Sequence, residues 1–211
     1  MVNSISEQVE LTNPVDLSVG GISGHIFRRL FHLAMCLLPI MYFEVGDSVA
    51  DAVSLSLDQI VAGVIIVAAL GEGLRLKLGF TVFGQREYES HQVSALAWGA
   101  LAIGLVLLIT PTKAYAYPLI LTLTFGDPFM GELRRRGIES GPVIVYACIL
   151  VYAIWLACWY AFDTPLIACL VVAPIAVLSE TPRLRYIDDN ATMLLIPLAV
   201  VVTLEPFLNV M

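Results

Sequence analysis

Seven stretches of this chain are each long and apolar enough to be read as membrane interior, and that constrains the fold more than anything else in it. They run roughly over 27–43, 58–75, 92–110, 114–130, 142–162, 165–180 and 191–209. A helix rises 1.5 Å per residue, so about 20 apolar residues cross a hydrocarbon core of about 30 Å. A soluble fold of 211 residues would have to hide nearly all of this surface. The chain is 59% hydrophobic and 14% charged, against roughly 25% charged in ordinary soluble domains. The expectation is an all-α polytopic membrane protein of about seven transmembrane helices. The sixth run is short and holds Pro174, which predicts a kink or an incomplete crossing.

A single transmembrane domain, 26–211, is expected to follow a polar N-terminal segment, 1–25. That segment has no basic n-region and no apolar h-region, so no cleavable signal peptide is expected. Cys36, Cys148, Cys158 and Cys169 all fall inside apolar runs without metal-ligand spacing, and buried thiols act as small hydrophobes. Basic residues decide orientation. Ten of the eleven Lys and Arg residues fall on one side of this topology, with Lys113 alone on the other. That places the N-terminus in the cytoplasm.

A positive-inside bias accounts for the arginines but not for the acids that arrive with them. On the cytoplasmic side lie "HIFRRLFH" (25–32), "GEGLRLK" (71–77), "QREYESH" (85–91), "GDPFMGELRRRG" (126–137) and "ETPRLRYIDDN" (180–190). Arg28 and His32 share a helix face, and with Arg29 they form either a stop-transfer flank or an anion site, since guanidinium groups pair bidentately with phosphate. Glu72 and Arg75 form an i,i+3 pair deep in apolar sequence, where ionisable groups are paired or functional. Asp127-Pro128 has the form of an N-cap followed by proline at N1. It also suits a magnesium ligand, because Mg²⁺ takes one or two carboxylates plus substrate phosphates. In "IDDN", Asp189 or Asn190 would cap the seventh helix, and two adjacent aspartates beside Glu180 exceed what a cap needs. Glu89 and His91 read as ordinary interfacial residues.

No Walker-type phosphate loop, Rossmann glycine motif, zinc-protease helix or nucleophile elbow is present. Taken in order, the clusters resemble the CTP-dependent lipid-alcohol kinases, the family of dolichol kinase, phytol kinase and the CTP-utilising diacylglycerol kinase. The resemblance rests on Arg-Arg-Leu-Phe-His at 28–32, Glu72 with Arg75, Gly126-Asp127, Glu139-Ser140-Gly141, Glu180, Asp188-Asp189-Asn190 and Pro197. The chain lacks the lysine of the family's loop after Gly-Asp, and "IESG" stands where a fuller motif is usual.

The resemblance implies transfer of the CTP γ-phosphate to a membrane lipid alcohol on the cytoplasmic face of a prokaryotic cell membrane. Mg²⁺ would be the cofactor, and no nucleic-acid partner is expected. Asp127 would bind the metal, with Asp188 or Asp189 as second ligand or activating the hydroxyl. Arg28, Arg29, His32, Arg75, Gly126, Arg134, Arg135, Arg136 and Asn190 would lie along the nucleotide. Glu72 and Glu180 would orient the arginines or touch the nucleotide. The rivals are a cytidylyltransferase making a CDP-lipid, whose serine-, lysine- and aspartate-rich C-terminal signature is missing, and a small-solute transporter. A transporter needs ionisable groups near the bilayer middle, whereas here they crowd one side.

Overall fold

The computed structural model describes residues 18–110, 112–182, 184 and 186–208. Most of the polar N-terminal segment, along with Arg183 and Arg185, lies outside them. Apart from a short 3₁₀ helix at Glu87–His91, every described helix covers one of the apolar runs. They are α1 (Gly21–Val53), α2 (Leu57–Leu78), α3 (Ala95–Ile109), α4 (Lys113–Arg135), α5 (Ser140–Phe162), α6 (Leu166–Leu178) and α7 (Asp189–Leu208). No strand occurs among the described residues, only an isolated antiparallel bridge between Ser18 and Arg86.

Local chemistry sets several of the boundaries. The Ser56 hydroxyl accepts from the Gln59 backbone amide at 3.2 Å while the Ser56 amide donates to Gln59 Oε1 at 2.8 Å, a capping box that starts α2. Gly79, in the left-handed region at φ 68°, ends it. Ser94 caps α3 through the Ala97 amide at 3.2 Å. α1 starts earlier and ends later than the apolar run predicts, continuing through a π-turn over Met41–Val45.

Four helices, α1, α2, α5 and α7, are long and apolar enough to cross a membrane by length and composition. This is fewer than the seven expected. α3 has 15 residues and α6 has 13, about 22 and 20 Å at 1.5 Å per residue. α4 is long enough but too polar. Its place in the fold explains that polarity: it packs against α1, α3, α5, α6 and α7. Leu119, Ile120, Thr122, Leu123, Thr124 and Gly126 are buried along it. A helix enclosed by protein can carry threonine, glycine and a carboxylate that a lipid-facing helix could not. α2 is the opposite case, with none of its membrane-length window buried. Val64, Ile66, Val67 and Leu70 point outward from it.

The pairing of Asp127 with Pro128 does not start a helix. Both lie inside α4, which continues to Arg135. Pro128 deprives the Thr124 carbonyl of its helical partner, and the packing around α4 holds the helix together through that gap.

Candidate functional site

α1 brings the first charges. His25, Arg28, Arg29 and His32 recur at the three- and four-residue spacing of a single helix face. That face turns into the protein, while Ile22, Ile26, Phe27, Leu30 and Phe31 are exposed on the others. Arg29 donates to Asp127 Oδ2 at 3.4 Å, and His32 Nε2 lies 3.6 Å from the same oxygen. The His32 side chain is 7% exposed, and its Nε2 has no hydrogen-bond partner. Arg28 donates to Glu89 Oε1 at 3.0 Å.

α4 supplies Asp127, Gly131 and Arg134, spaced so that all three share a face across about two turns. A Cβ at Gly131 would stand 2.4 Å from Nη2 of Arg29. The missing side chain is what lets the α1 guanidinium reach α4. The direct partner of Arg134 is not Asp127, although that carboxylate also acts on it electrostatically. Arg134 makes a two-pronged pair with Glu180, whose side chain is 1% exposed.

The segment between α6 and α7 closes the site. Oxygens of Asp127, Glu180 and Asp189 all lie within 4.8 Å of one another. The helix cap here is Asp188, not Asp189 or Asn190: its carboxylate accepts from the Asn190 amide at 3.1 Å. Burial, and next the Asp189 carboxylate beside it, push the Asp188 carboxyl well above the usual range. Burial also raises Glu180, against the pull of Arg134. Asn190 is buried, and its Oδ1 has no partner.

The remaining expected residues are engaged elsewhere. The five N–H groups of Arg75 are all taken, by Glu72 at 2.8 and 2.7 Å and by the carbonyls of Phe80, Glu89 and Gln92 at 2.8, 2.7 and 2.8 Å. None is left for a phosphate. The Glu72 carboxylate also accepts from the Ser94 amide at 2.6 Å. This pair therefore braces the segment between α2 and α3. Gly126 is buried against α7, where an added Cβ would stand 2.7 Å from Met193 Cε, so it permits close helix packing. Arg135 and Arg136 are exposed and pair with Glu132 at 2.8 and 3.0 Å.

Two residues outside the expected set belong to the same region. Glu89, read from sequence as interfacial, is 1% exposed and holds Arg28. Arg86 lies within electrostatic reach of Asp188, Asp189 and Asp127. No local pattern announces either, because both act through a loop fold of high sequence separation. Beside this loop, an apolar groove of about 300 Å³ runs between α2 and α3, lined by Ala68, Ala69, Gly73, Ala97, Trp98 and Leu101, with Glu72 among its walls.

Chemically, three carboxylates converge where guanidinium groups reach in from α1 and α4. All-oxygen donors this close suit a hard divalent cation, and the flanking arginines suit phosphate oxygens. Compared with protein-family models, curated proteins and solved structures, the chain matches none of them.

Proposed function

We propose that this protein is a CTP-dependent kinase acting on the hydroxyl of a membrane lipid alcohol: a polyprenol or dolichol, phytol or geranylgeraniol, or a diacylglycerol. The observation that carries this reading is the convergence of Asp127, Glu180 and Asp189 within 4.8 Å, beside the inward-facing arginines at one end of an apolar helical bundle. Phosphoryl transfer needs little covalent help from protein, chiefly in-line positioning and charge neutralisation. A lipid hydroxyl presents itself at the headgroup boundary, where such a cluster would sit. The choice of CTP rests on the family resemblance alone.

Asp127, Glu180 and Asp189 would hold Mg²⁺, whose chemistry when bound is neutralisation of phosphate oxygens. Arg28 and Arg29 hold phosphates, with Glu89 and Asp127 fixing their direction. Asp188, its carboxyl raised by burial, takes the proton of the acceptor hydroxyl. The lipid oxygen forms its bond to the γ-phosphorus as the bond to the β-phosphate oxygen breaks, releasing CDP. The apolar groove between α2 and α3 is a place for the lipid chain. In this reading all seven helices are embedded, with α3, α4 and α6 screened from lipid by the others. The N-terminus and the charged end face the cytoplasm of a prokaryotic cell membrane. Cysteine labelling that reached position 135 from outside intact cells would reverse this orientation.

The deciding experiment is transfer from γ-labelled CTP to a panel of prenols, dolichols and diacylglycerols in detergent. Labelled lipid with CDP released is the expected result. Pyrophosphate release with a lipid phosphate as acceptor, and no labelled lipid from the alcohols, would instead make the protein a cytidylyltransferase. No nucleotide turnover with any acceptor would end the enzyme reading and leave a transporter as the stronger one.

A further inference from the structure

One arginine at the charged end lacks a carboxylate partner. Among the described residues, Arg28 pairs with Glu89, Arg29 with Asp127, Arg75 with Glu72, Arg134 with Glu180, and Arg135 and Arg136 with Glu132. Arg86 has none. Its guanidinium is half-buried and meets only the Tyr88 hydroxyl, at 2.5 Å, lying 5.8 Å from the Tyr88 ring centroid. A cation drawn partly out of water with only a neutral partner keeps most of its unmet demand for an anion.

Its position is also fixed in advance. The Val19 amide donates to the Gln85 carbonyl at 2.8 Å, and the Gly84 amide to the Val19 carbonyl at 3.0 Å, tying the loop to the start of α1. Phe83 packs edge-on against Phe27 at 5.5 Å between centroids and fills the space over Gly20. The Arg75 fork holds the loop from α2. Glu89 Oε1 accepts the Arg86 amide at 3.3 Å. Nothing in these contacts needs the guanidinium itself, so the bracing delivers a charge that the fold does not consume.

The groups around that charge indicate its use. Arg86 acts electrostatically on His25, as do Arg29, Arg135 and Arg28, so four guanidinium groups lie within reach of one imidazole on α1. It also lies within electrostatic reach of the carboxylates of Asp188, Asp189 and Asp127. An anion lodged among these arginines, with a divalent cation between it and the carboxylates, would satisfy both sets of charges at once.

We propose that Arg86 is a phosphate-binding residue of this site, taking the oxygens of a di- or triphosphate whose metal sits on the acidic triad. This rests on the reading of the site as one for a phosphoanhydride and adds a contact that the expected set lacks. Pre-positioned charge of this kind loses little entropy on binding.

The test uses the full chain in detergent and inorganic pyrophosphate with Mg²⁺ as the probe. Arg86→Ala is expected to weaken pyrophosphate binding about tenfold or more, the scale of one hydrogen bond to a charged group. Arg86→Lys should retain part of the affinity, and Tyr88→Phe should stay within about twofold of the parent. Arg86→Gln keeps an N–H for Tyr88 while removing the charge, and serves if the alanine variant fails to fold. Arg136→Ala controls for bulk charge.

Equal affinity in the parent, Arg86→Ala and Arg86→Gln would overturn the proposal, as would equal weakening by Arg86→Ala and Arg136→Ala. A parent that binds no pyrophosphate would overturn it too. Arg86-dependent binding without label transfer from CTP to any lipid alcohol would uphold the anion contact and remove the kinase reading. Label transfer that persists in variants with unchanged pyrophosphate affinity would do the reverse.

Discussion

Arg29 donates to Oδ2 of Asp127 at 3.4 Å, joining two residues 98 positions apart. The bond links the inward face of α1 to the interior of the central helix, with His32 Nε2 3.6 Å from the same oxygen. Asp127 is therefore an interior carboxylate held by another helix, and no part of its role is to start one.

Replacing that carboxylate separates structural from chemical importance. Asp127→Asn keeps the shape and loses the charge. The two side chains are 23% and 18% exposed, so solvent weakens their pair and the stability loss should be about 1 kcal/mol. Phosphoryl transfer and its dependence on magnesium should nearly vanish, because a hard cation needs the charge. A magnesium titration of purified, monodisperse variant is the measurement. Activity within a few-fold of the parent would shift the metal site towards Asp188 and Asp189.

Gly131→Ala makes the complementary point. Alanine in a helix interior is ordinarily about 1 kcal/mol better than glycine. Here the new Cβ would stand 2.4 Å from Nη2 of Arg29, the mobile end of a long side chain. The variant should fold with a melting temperature equal to or above the parent's, yet lose nucleotide affinity as Arg29 is pushed off Asp127. Unchanged affinity would show that Arg29 does not need its present position.

The three consecutive arginines should behave unequally. Arg134→Ala strands the nearly inaccessible Glu180 carboxylate and should cost about 2 kcal/mol, below the 3–5 typical of fully buried pairs because Arg134 is itself 39% exposed. Arg135→Ala and Arg136→Ala, at exposed pairs with Glu132, should stay within about 0.5 kcal/mol. A thermal-shift comparison of the three, with Glu180→Gln closing a double-mutant cycle, checks the ranking. Equal effects at all three positions would refute it.

Arg75→Lys tests the brace. Lysine has three donors on one atom, against five in a planar fork, so it cannot serve Glu72 and three carbonyls together. Stability should fall by about 2 kcal/mol or more, and proteolysis should open first between 79 and 94. Cleavage elsewhere, with that segment still protected, would contradict the assignment.

Asp188 sets a pH dependence whose sign is fixed. Its carboxyl is raised well above 3.8 in the folded protein, so the folded state holds a proton that the unfolded state releases. The stability it contributes is complete below about 4 and is lost as pH rises through the folded value. Glu180, also raised by burial, acts in the same direction. Metal-free protein should therefore melt at lower temperature as pH climbs from about 4, and Asp188→Asn should flatten the curve. A parallel slope in that variant would assign the effect to other groups.

Much of the architecture was legible along the chain. All seven apolar runs are helical, because a helix satisfies its own backbone groups and apolar length is a property of consecutive residues. The stripe of His25, Arg28, Arg29 and His32 was equally readable, since helical spacing alone puts them on one face.

What sequence could not decide was which charge meets which. Arg28 finds Glu89 across 61 residues, Arg29 finds Asp127 across 98, and Arg134 finds Glu180 across 46. Those pairings depend on how helices lie side by side. So does the enclosure of α4 by five neighbours, which turned an apparent cap at Asp127-Pro128 into the interior of a continuous helix. Local chemistry determined the helices and the kinds of charge at their ends. Lateral packing alone determined which arginines were consumed by the fold and which one among the described residues, Arg86, was left without a carboxylate.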